Sequence, residues 1–348
     1  MRKLQPDTRP RIVLLGARGQ LGTQLAPRLA RLGDVICLDR SIADLSRPLA
    51  LRRLLRQFLP DIVVNAAAYT AVDRAESEAR MSRAVNAIAP AVLARTCREL
   101  GAFFLHISTD YVFDGTLPRA YHEFDAPAPL NQYGRDKLEG EEHVLSSGAD
   151  CLIARTAMVY AHGSGFANFA STMLRLAEQH SELSVVADQW SNPCYAPDLA
   201  DALCELLRQR LAGDATRPTE LSGVLHVASP TACSRFGFVT RMLELAAEVS
   251  PELSRRLTVH RVHPVNSRAF PLPARRPAYP VLDTDRLERV AGIRLPEWDS
   301  GLRRFLEAHA AHLTQVAHGA HGAHAARLNA ETQRRAAEVV VPDRTEVA

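Results

Sequence analysis

Five short apolar runs, RIVLL, DVICLD, DIVVNAAA, AFFLHIS and CLIART, punctuate the chain from residue 11 to about residue 156. Each is continuously apolar rather than alternating, the pattern of a strand covered on both faces. Between them lie stretches with helical apolar spacing, among them QLAPRLARLG, LRRLLRQFL and APAVLARTCRELG. Gly33 and Gly101 sit where two of these helices should stop. Strand and helix in regular alternation leave few architectures open. The chain reads as α/β, a Rossmann-type doubly wound parallel sheet.

Past residue 160 the texture changes. Helical segments such as FANFASTMLRLAEQ and DLADALCELLRQRL mix with short strand-like pieces, LSVVA and GVLHVA. A Pro-rich linker, FPLPARRPAYPVLDT, leads to RLERVAGI and to a last amphipathic helix, WDSGLRRFLEAHAAHL. Residues 161–313 are expected to form mainly a smaller α/β lobe at the carboxyl ends of the strands, where doubly wound folds bind ligands. Residues 314–348 are poor in large apolar side chains and read as a disordered extension. His309, His312, His318, His321 and His324 fall in or near it without acidic or cysteine company, and no metal is expected.

Composition removes several function classes. With 47% hydrophobic and 23% charged residues, the 348-residue chain is ordinary for a globular protein. Its net charge is +3 with both signs interspersed, so neither a nucleic-acid nor a membrane partner is indicated. The first apolar run, IVLL, is too short for a signal-peptide core or a membrane span. Six cysteines are scattered without a C-x-x-C pair, and those in VICLD and CLIAR read as small core residues. A reducing cytoplasm is the expected location.

The first strand runs into GARGQLG, which spaces Gly16, Gly19 and Gly22 as G-x-x-G-x-x-G at the start of a helix. Strand, tight turn and helix amino terminus are the context a pyrophosphate needs: backbone can approach closely, and free amides with a positive dipole face the anion. Residues 1–160 are therefore read as mainly an NAD(P)-binding domain. Asp39 and Arg40 end the second strand, with Asp39 17 residues after Gly22. An acid there suits the free ribose hydroxyls of NADH and an arginine suits the 2′-phosphate of NADPH, so the choice stays open. Asp44 stands where an acid can meet the adenine edge, or else cap the helix that SRPLALRRLL begins.

This glycine spacing resembles that of the extended short-chain dehydrogenase/reductase superfamily. Two further stretches match it, VVNAAAYTAVDRAE after the third strand and HISTDYVFDG at the end of the fourth. The resemblance implies a catalytic trio of hydroxyl, tyrosine and lysine, here Thr109, Tyr133 and Lys137. Tyr133 and Lys137 are four residues apart in NQYGRDK, on one face of a helix, and Thr109 lies 24 residues before Tyr133. Reducing a carbonyl needs a hydride at carbon and a proton at oxygen. A tyrosine near pKa 10 delivers that proton poorly at neutral pH. A lysine ammonium beneath it, with the positive nicotinamide of the oxidised cofactor, is expected to lower the phenol by about three units, worth roughly 4 kcal/mol. The threonine hydroxyl would hold the substrate oxygen near the phenol.

STDYVFDG, PLNQYGRDKLEGE, LIARTAMVY, VVADQWSNPCYAPDLADAL and ARRPAYPVLDT together resemble the dTDP-4-dehydrorhamnose reductase family, from about residue 11 to 310. That resemblance implies reduction of a 4-keto group on a dTDP-sugar by NADPH or NADH, giving dTDP-L-rhamnose for cell-surface polysaccharide. It implies a cofactor lined by Gly19, Gln20, Leu21, Asp39, Asp44, Leu45, Ala67, Ala68, Tyr69, Thr70 and Ile107. Tyr133 and Lys137 would touch the nicotinamide ribose, and Thr109 and Asp110 the sugar. Arg275 and Arg276 are expected at the diphosphate, since guanidinium forks match phosphate oxygens.

Three segments depart from the family pattern. Met158 in ARTAMVY stands where a tryptophan usually faces the sugar, and Trp190 in DQWSNP is a candidate to replace that ring. Some members form homodimers through Mg²⁺ held by glutamates, one on the first helix. Thr23 and Gln24 stand there instead, so a homodimer is compatible with this chain but that metal is not expected. A related dehydratase would carry Asp-Glu after the strand-end threonine, where this chain has Asp110 and Tyr111. An epimerase shares the trio and is separated only by substrate. A non-catalytic relative, the regulatory subunit of methionine adenosyltransferase, is disfavoured by the complete trio.

Overall fold

The computed structural model describes residues 9–163, 168–212 and 221–314. Its first part contains β1 (Arg11–Leu15), α1 (Gln20–Leu29), β2 (Asp34–Leu38), α2 (Pro48–Phe58), β3 (Ile62–Asn65), α3 (Val72–Ser77), α4 (Ala79–Arg83), α5 (Ala89–Leu100), β4 (Phe103–Thr109), α6 (Gln132–Ser146) and β5 (Cys151–Thr156). Next come β6 (Val159–Tyr160), α7 (Phe169–Gln179), β7 (Glu182–Val186), β8 (Trp190–Ser191), β9 (Cys194–Tyr195) and α8 (Ala196–Ala212). The remainder is β10 (Gly223–His226), β11 (Cys233–Ser234), α9 (Arg235–Val249), α10 (Pro251–Arg256), β12 (Arg261–Val265) and α11 (Asp285–Ala291). A last helix, α12, covers 298–314.

Six parallel strands form the main sheet in the order β10-β5-β4-β3-β1-β2. Both faces are covered, as the unbroken apolar runs require. Ile12, Leu14, Ile62 and Val64 pack on one side with Leu25 of α1 and Leu203 of α8. Val13, Leu15 and Val63 pack on the other with Leu51 of α2 and Leu93 of α5. Each such side chain contributes about 1.5–3 kcal/mol relative to exposure. From β1 the chain winds outward to β2, then crosses back so that β3 flanks β1 on its other side. The carboxyl ends of β1 and β3 therefore open a crevice at the point where the winding reverses.

The sheet takes its sixth strand, β10, from beyond residue 160, so the second half of the chain completes the first half's sheet. The smaller lobe has its own core around Tyr160, Phe238, Leu302 and Phe305, with β12 parallel to β7. Two local expectations change. Gly101 does end α5 in the left-handed conformation, but α1 already stops at Leu29 with Ala30 as its cap. Gly33 is needed for a close approach instead, because a Cβ there would lie 2.1 Å from the Pro10 carbonyl oxygen. Cys37 is exposed rather than core, since β2 is the sheet's edge strand, whereas Cys151 on the inner strand β5 is buried. Residues 315–348, including His318, His321 and His324, lie outside the described residues.

Candidate active site

Three chain segments meet at the crevice: the turn after β1, the loop after β3 and the amino-terminal half of α6. The glycine turn is set by backbone contact. Gly16 has φ +77°, and a Cβ on it would come within 2.8 Å of Ala67 N. A Cβ on Gly22 would lie 2.0 Å from the Gly16 carbonyl oxygen, so only glycine lets α1 start this close to β1. α1 begins without a side-chain cap and without an acidic residue in its first turn. Its amides and dipole therefore face the crevice unopposed, which suits a phosphate group. The loop after β3 is held by Asn86 from the π-helical turn Ala84–Ile88, which exchanges hydrogen bonds with Tyr69 N and O at 2.9 and 3.0 Å.

The resulting cavity is about 580 Å³. Its wall takes in the expected Gly16, Gly19, Gln20, Leu21, Asp39, Arg40, Asp44, Leu45, Ala67, Ala68, Tyr69, Thr70 and Ile107, together with Thr109, Tyr133, Lys137 and Met158. Gly22 stands behind the wall as a packing residue. Asp39 accepts hydrogen bonds from Ser41, its main cause of a lowered pKa, and pairs with Arg18 at 2.8 Å. Arg18 was not singled out in the sequence, although it sits inside the glycine turn. Asp44 accepts from Ser46 N at 3.0 Å and borders the cavity rather than capping α2, whose N-cap is Arg47.

β4 carries Thr109 at its end, in register with Thr156 of β5. The Thr109 hydroxyl donates to Asp110 Oδ1 at 3.0 Å and accepts from Tyr111 N at 3.2 Å. Asp110 is buried, and burial pushes its carboxyl up to about 7 despite the hydroxyls of Thr109 and Ser191. Asn131 caps α6 by accepting from Gly134 N, which points the first turn with Tyr133 into the crevice. The Tyr111 ring meets Tyr133 edge-on at 5.9 Å.

The chain's own residues do not by themselves lower the tyrosine pKa. Burial pushes the Tyr133 phenol above its ordinary value, offset in part by the Thr109 hydroxyl. Lys137 Nζ is directed elsewhere: it donates to the Ile107 carbonyl at 2.6 Å and lies 3.2 Å from His106 Nε2. Burial in turn draws Lys137 down to about 8, and burial with Lys137 nearby holds His106 well below its usual value. His106 was not foreseen. A histidine inside the apolar run AFFLHIS, three residues before Thr109, was the available signal.

The expected sugar and diphosphate residues are less tightly gathered. Met158 lines the cavity with a left-handed backbone, φ 40°, that a non-glycine residue rarely holds. Trp190 is 42% exposed; its ring lies 6.2 Å from Tyr279 and does not line the cavity. Arg276 is clamped on both Asp73 carboxylate oxygens at 2.5 and 2.6 Å, and Arg275 is exposed. Asn168, outside the expected set, bonds Gln20 at 2.9 Å and thereby ties α7 to the glycine turn. His309 and His312 place their rings 5.4 Å from that of His162, and among the described residues no cluster suited to a metal occurs.

Comparisons with known proteins agree with this geometry. Residues 10–311 match the family described as RmlD substrate binding domain. The chain is 44% identical over 292 residues to a dTDP-4-dehydrorhamnose reductase from Burkholderia thailandensis, covering 83% of this chain and 95% of that one. To the Escherichia coli K12 dTDP-4-dehydrorhamnose reductase it is 38% identical, covering 85% and 96%. The crystal structure of the Bacillus anthracis dTDP-4-dehydrorhamnose reductase in complex with NADP superposes with a TM-score of 0.76 at 34% identity, covering 86% of this chain and 99% of that one. A Thermus thermophilus UDP-glucose 4-epimerase complex with NAD, at 20% identity and TM-score 0.66, shares the fold. A glycine turn at the sheet's switch point, a strand-end threonine and a tyrosine–lysine pair, on a chain this similar to its relatives over most of its length, make it a member of the dTDP-4-dehydrorhamnose reductase family.

Proposed function

We propose that the chain is an NAD(P)H-dependent reductase that converts the 4-keto group of dTDP-4-dehydrorhamnose to the alcohol of dTDP-L-rhamnose, the rhamnose donor for cell-surface polysaccharide. The observation that carries the reading is the meeting of Thr109, Tyr133 and Lys137, from β4 and α6, on one cavity with the glycine turn. The close backbone packing that only glycine allows at Gly16 and Gly22 sets the amino terminus of α1 at the cavity wall, where it fits a dinucleotide pyrophosphate. Gly19, Gln20 and Leu21 would hold the phosphates, Asp39 and Arg40 the adenosine ribose, and Asp44 and Leu45 the adenine side. Ala67 to Thr70 and Ile107 would wall the rest. A nicotinamide cofactor held there supplies the hydride.

The chain's own residues manage the oxygen. Tyr133 gives its phenolic proton to the sugar O4 as negative charge builds there. Thr109, whose O–H turns from Asp110 Oδ1 to the sugar when substrate is bound, donates to the same oxygen and keeps it beside the phenol. Burial disfavours a free tyrosinate, so the proton moves when the developing alkoxide is present to take it. Met158 faces the sugar. Among the described residues no helix is long and apolar enough to cross a membrane, and a cytoplasmic location belongs to this reading, as does a chain acting alone or as a homodimer. Turnover of dTDP-4-dehydrorhamnose with NADPH and NADH in parallel tests it. Steady oxidation of either cofactor with formation of dTDP-L-rhamnose is expected; a folded protein that binds the cofactor yet leaves the sugar unreduced would refute it.

A further inference from the structure

The strand end that carries Thr109 runs on into Asp110 and Tyr111, and the smaller lobe reaches both. β8 and β11 pair antiparallel, with Ser191 opposite Cys233 and Trp190 opposite Ser234, so Gln189 and Arg235 come side by side. Ser191 Oγ lies 3.4 Å from Asp110 Oδ2, and Arg235 Nη2 lies 3.5 Å from the Tyr111 hydroxyl. Gln189 fixes the guanidinium at two points. Its carbonyl accepts from Arg235 N at 3.0 Å, and its Oε1 accepts from Arg235 Nε at 3.1 Å. The Phe169 ring supports the flat face, 5.0 Å from the guanidinium carbon. With Nε engaged, the Nη1–Nη2 edge remains, and Nη1 meets no acceptor among the described residues.

The charge around this edge is unbalanced. Arg155, Arg276 and Arg304 are each paired with a carboxylate, of Glu141, Asp73 and Asp198. Arg235 is partly buried too, yet its partners are an amide, an aromatic face and a phenol. Among the described residues no carboxylate stands within ion-pair distance of it. Asp110 is no substitute, since burial pushes its carboxyl up to about 7 in spite of Arg235. A cation drawn from water without a counter-ion costs stability that a bound anion would restore. Tyr111 points the same way. Its hydroxyl also meets the Arg276 guanidinium. Arginines only donate, so the phenol oxygen accepts, and its own O–H finds no acceptor among the described residues. This donor-rich corner is one ring contact from Tyr133, whose ring lies 5.9 Å from that of Tyr111.

We propose that Arg235 and the Tyr111 hydroxyl bind the diphosphate of the sugar nucleotide, with Arg235 as its principal cation. The inference rests on the proposed reduction and concerns the part of the substrate that does not react. The amino terminus of α1 takes the dinucleotide pyrophosphate in that reading, so the sugar's diphosphate needs a place of its own. With O4 at Tyr133 and Thr109, the diphosphate leaves the hexose from C1, across the ring, on the side where the smaller lobe brings Arg235. Two non-bridging oxygens suit the Nη1–Nη2 fork, and Tyr111 donates its O–H to the same group. Arg276 keeps Asp73, and Arg275 stays exposed, so the two arginines expected at the diphosphate are not the ones that carry it. Binding energy gathered at this remote group holds the carbonyl beside the phenol.

The test is calorimetric titration of dTDP into the NADP⁺-loaded protein at several ionic strengths, for wild type, Arg235→Gln and Arg235→Lys. Loading fills the glycine turn, so dTDP cannot report on that site. Affinity for dTDP should fall about 10- to 100-fold in Arg235→Gln, with NADP⁺ affinity and the thermal midpoint near wild type. Arg235→Lys keeps the charge but loses the fork, and should recover part of the loss. The weakening of dTDP binding with added salt should flatten in the glutamine variant and persist in the lysine variant. A merely structural arginine would not change that salt dependence. Wild type that fails to bind dTDP would overturn the proposal, as would unchanged affinity in folded Arg235→Gln. Equal losses in both variants with the salt dependence intact would overturn it as well. The titration involves no turnover. Arg235-dependent dTDP binding without reductase activity would count against the proposed reaction and sustain this site, whereas turnover with dTDP binding indifferent to Arg235 would do the reverse.

Discussion

The glycine-turn side of this cavity, proposed for the cofactor, and the Met158 side, proposed for the sugar, are built by different means. Around the glycine turn the constraint is backbone against backbone: Gly22 beside the Gly16 carbonyl, Gly16 beside Ala67, α1 starting where β1 ends. On the other side Met158 borders the cavity, and off the cavity wall side chains from residues 190 to 279 make single contacts, Trp190 leaning on Tyr279 and Arg276 on Asp73. The first kind admits almost no substitution, because a peptide oxygen cannot move aside without moving a strand. The second kind can be rearranged one contact at a time. A family can therefore keep one cofactor site while its members change the sugar surface, and two of this chain's three departures, at Met158 and Trp190, fall between residues 158 and 279.

The largest expected effect lies where the two sides meet. Tyr133→Phe should lower turnover by about 10²- to 10⁴-fold while dinucleotide affinity stays near wild type, as equilibrium titration and steady-state kinetics would report. Loss of both together would mean that the phenol serves the cofactor side rather than the chemistry.

Asp110 follows in size and is a matter of pH. Its folded pKa is raised from 3.8 to about 7, so the protonated carboxyl stabilises the fold fully at low pH. That contribution is lost as pH climbs through the folded value. At about 1.4 kcal/mol per unit, wild type should lose about 2–4 kcal/mol between pH 4 and pH 8 from this group. Asp110→Asn should lack that loss in urea unfolding at the two pH values. Equal pH dependence in both proteins would show that the carboxyl ionises freely in the fold.

Gly22→Ala comes next. A methyl 2.0 Å from a peptide oxygen must push α1 from β1, at a cost of about 1–3 kcal/mol in stability and with weaker dinucleotide binding. The smallest effect belongs to the sugar side. Met158→Trp should lower KM for the sugar by an amount worth about 0.5–1.5 kcal/mol and leave cofactor affinity alone. Trp190→Ala should be additive with it, since Trp190 does not line the cavity. Strong coupling between them would place both rings on one surface and dissolve the contrast drawn here.

What could be read from the sequence follows the same division. The glycine turn, the strand-end Thr109 and the four-residue step from Tyr133 to Lys137 are local, each contained in one element or one turn. Four inner strands, β1, β3, β4 and β5, announced themselves as unbroken apolar runs because both faces are covered. The pairing of Asn65 with His106 was not readable, since it exists only through the register of β3 against β4. Nor was the bond from Asn168 to Gln20, which joins positions 148 residues apart. Cys37 misled because an apolar run does not say whether its strand is inner or edge. The partners of Lys137 were not readable either, because four-residue spacing places it on the right face without saying which atoms its nitrogen meets.

The most direct measurement follows the hydride. NADPH carrying deuterium at the transferable C4 position is incubated with dTDP-4-dehydrorhamnose and the enzyme, and the product is examined by NMR. One deuterium at C4 of dTDP-L-rhamnose for each NADPH consumed is the result predicted here, at a rate that collapses in Tyr133→Phe. Deuterium elsewhere on the sugar, or both NADPH and equally labelled NADH left unoxidised by the folded protein, would contradict the account.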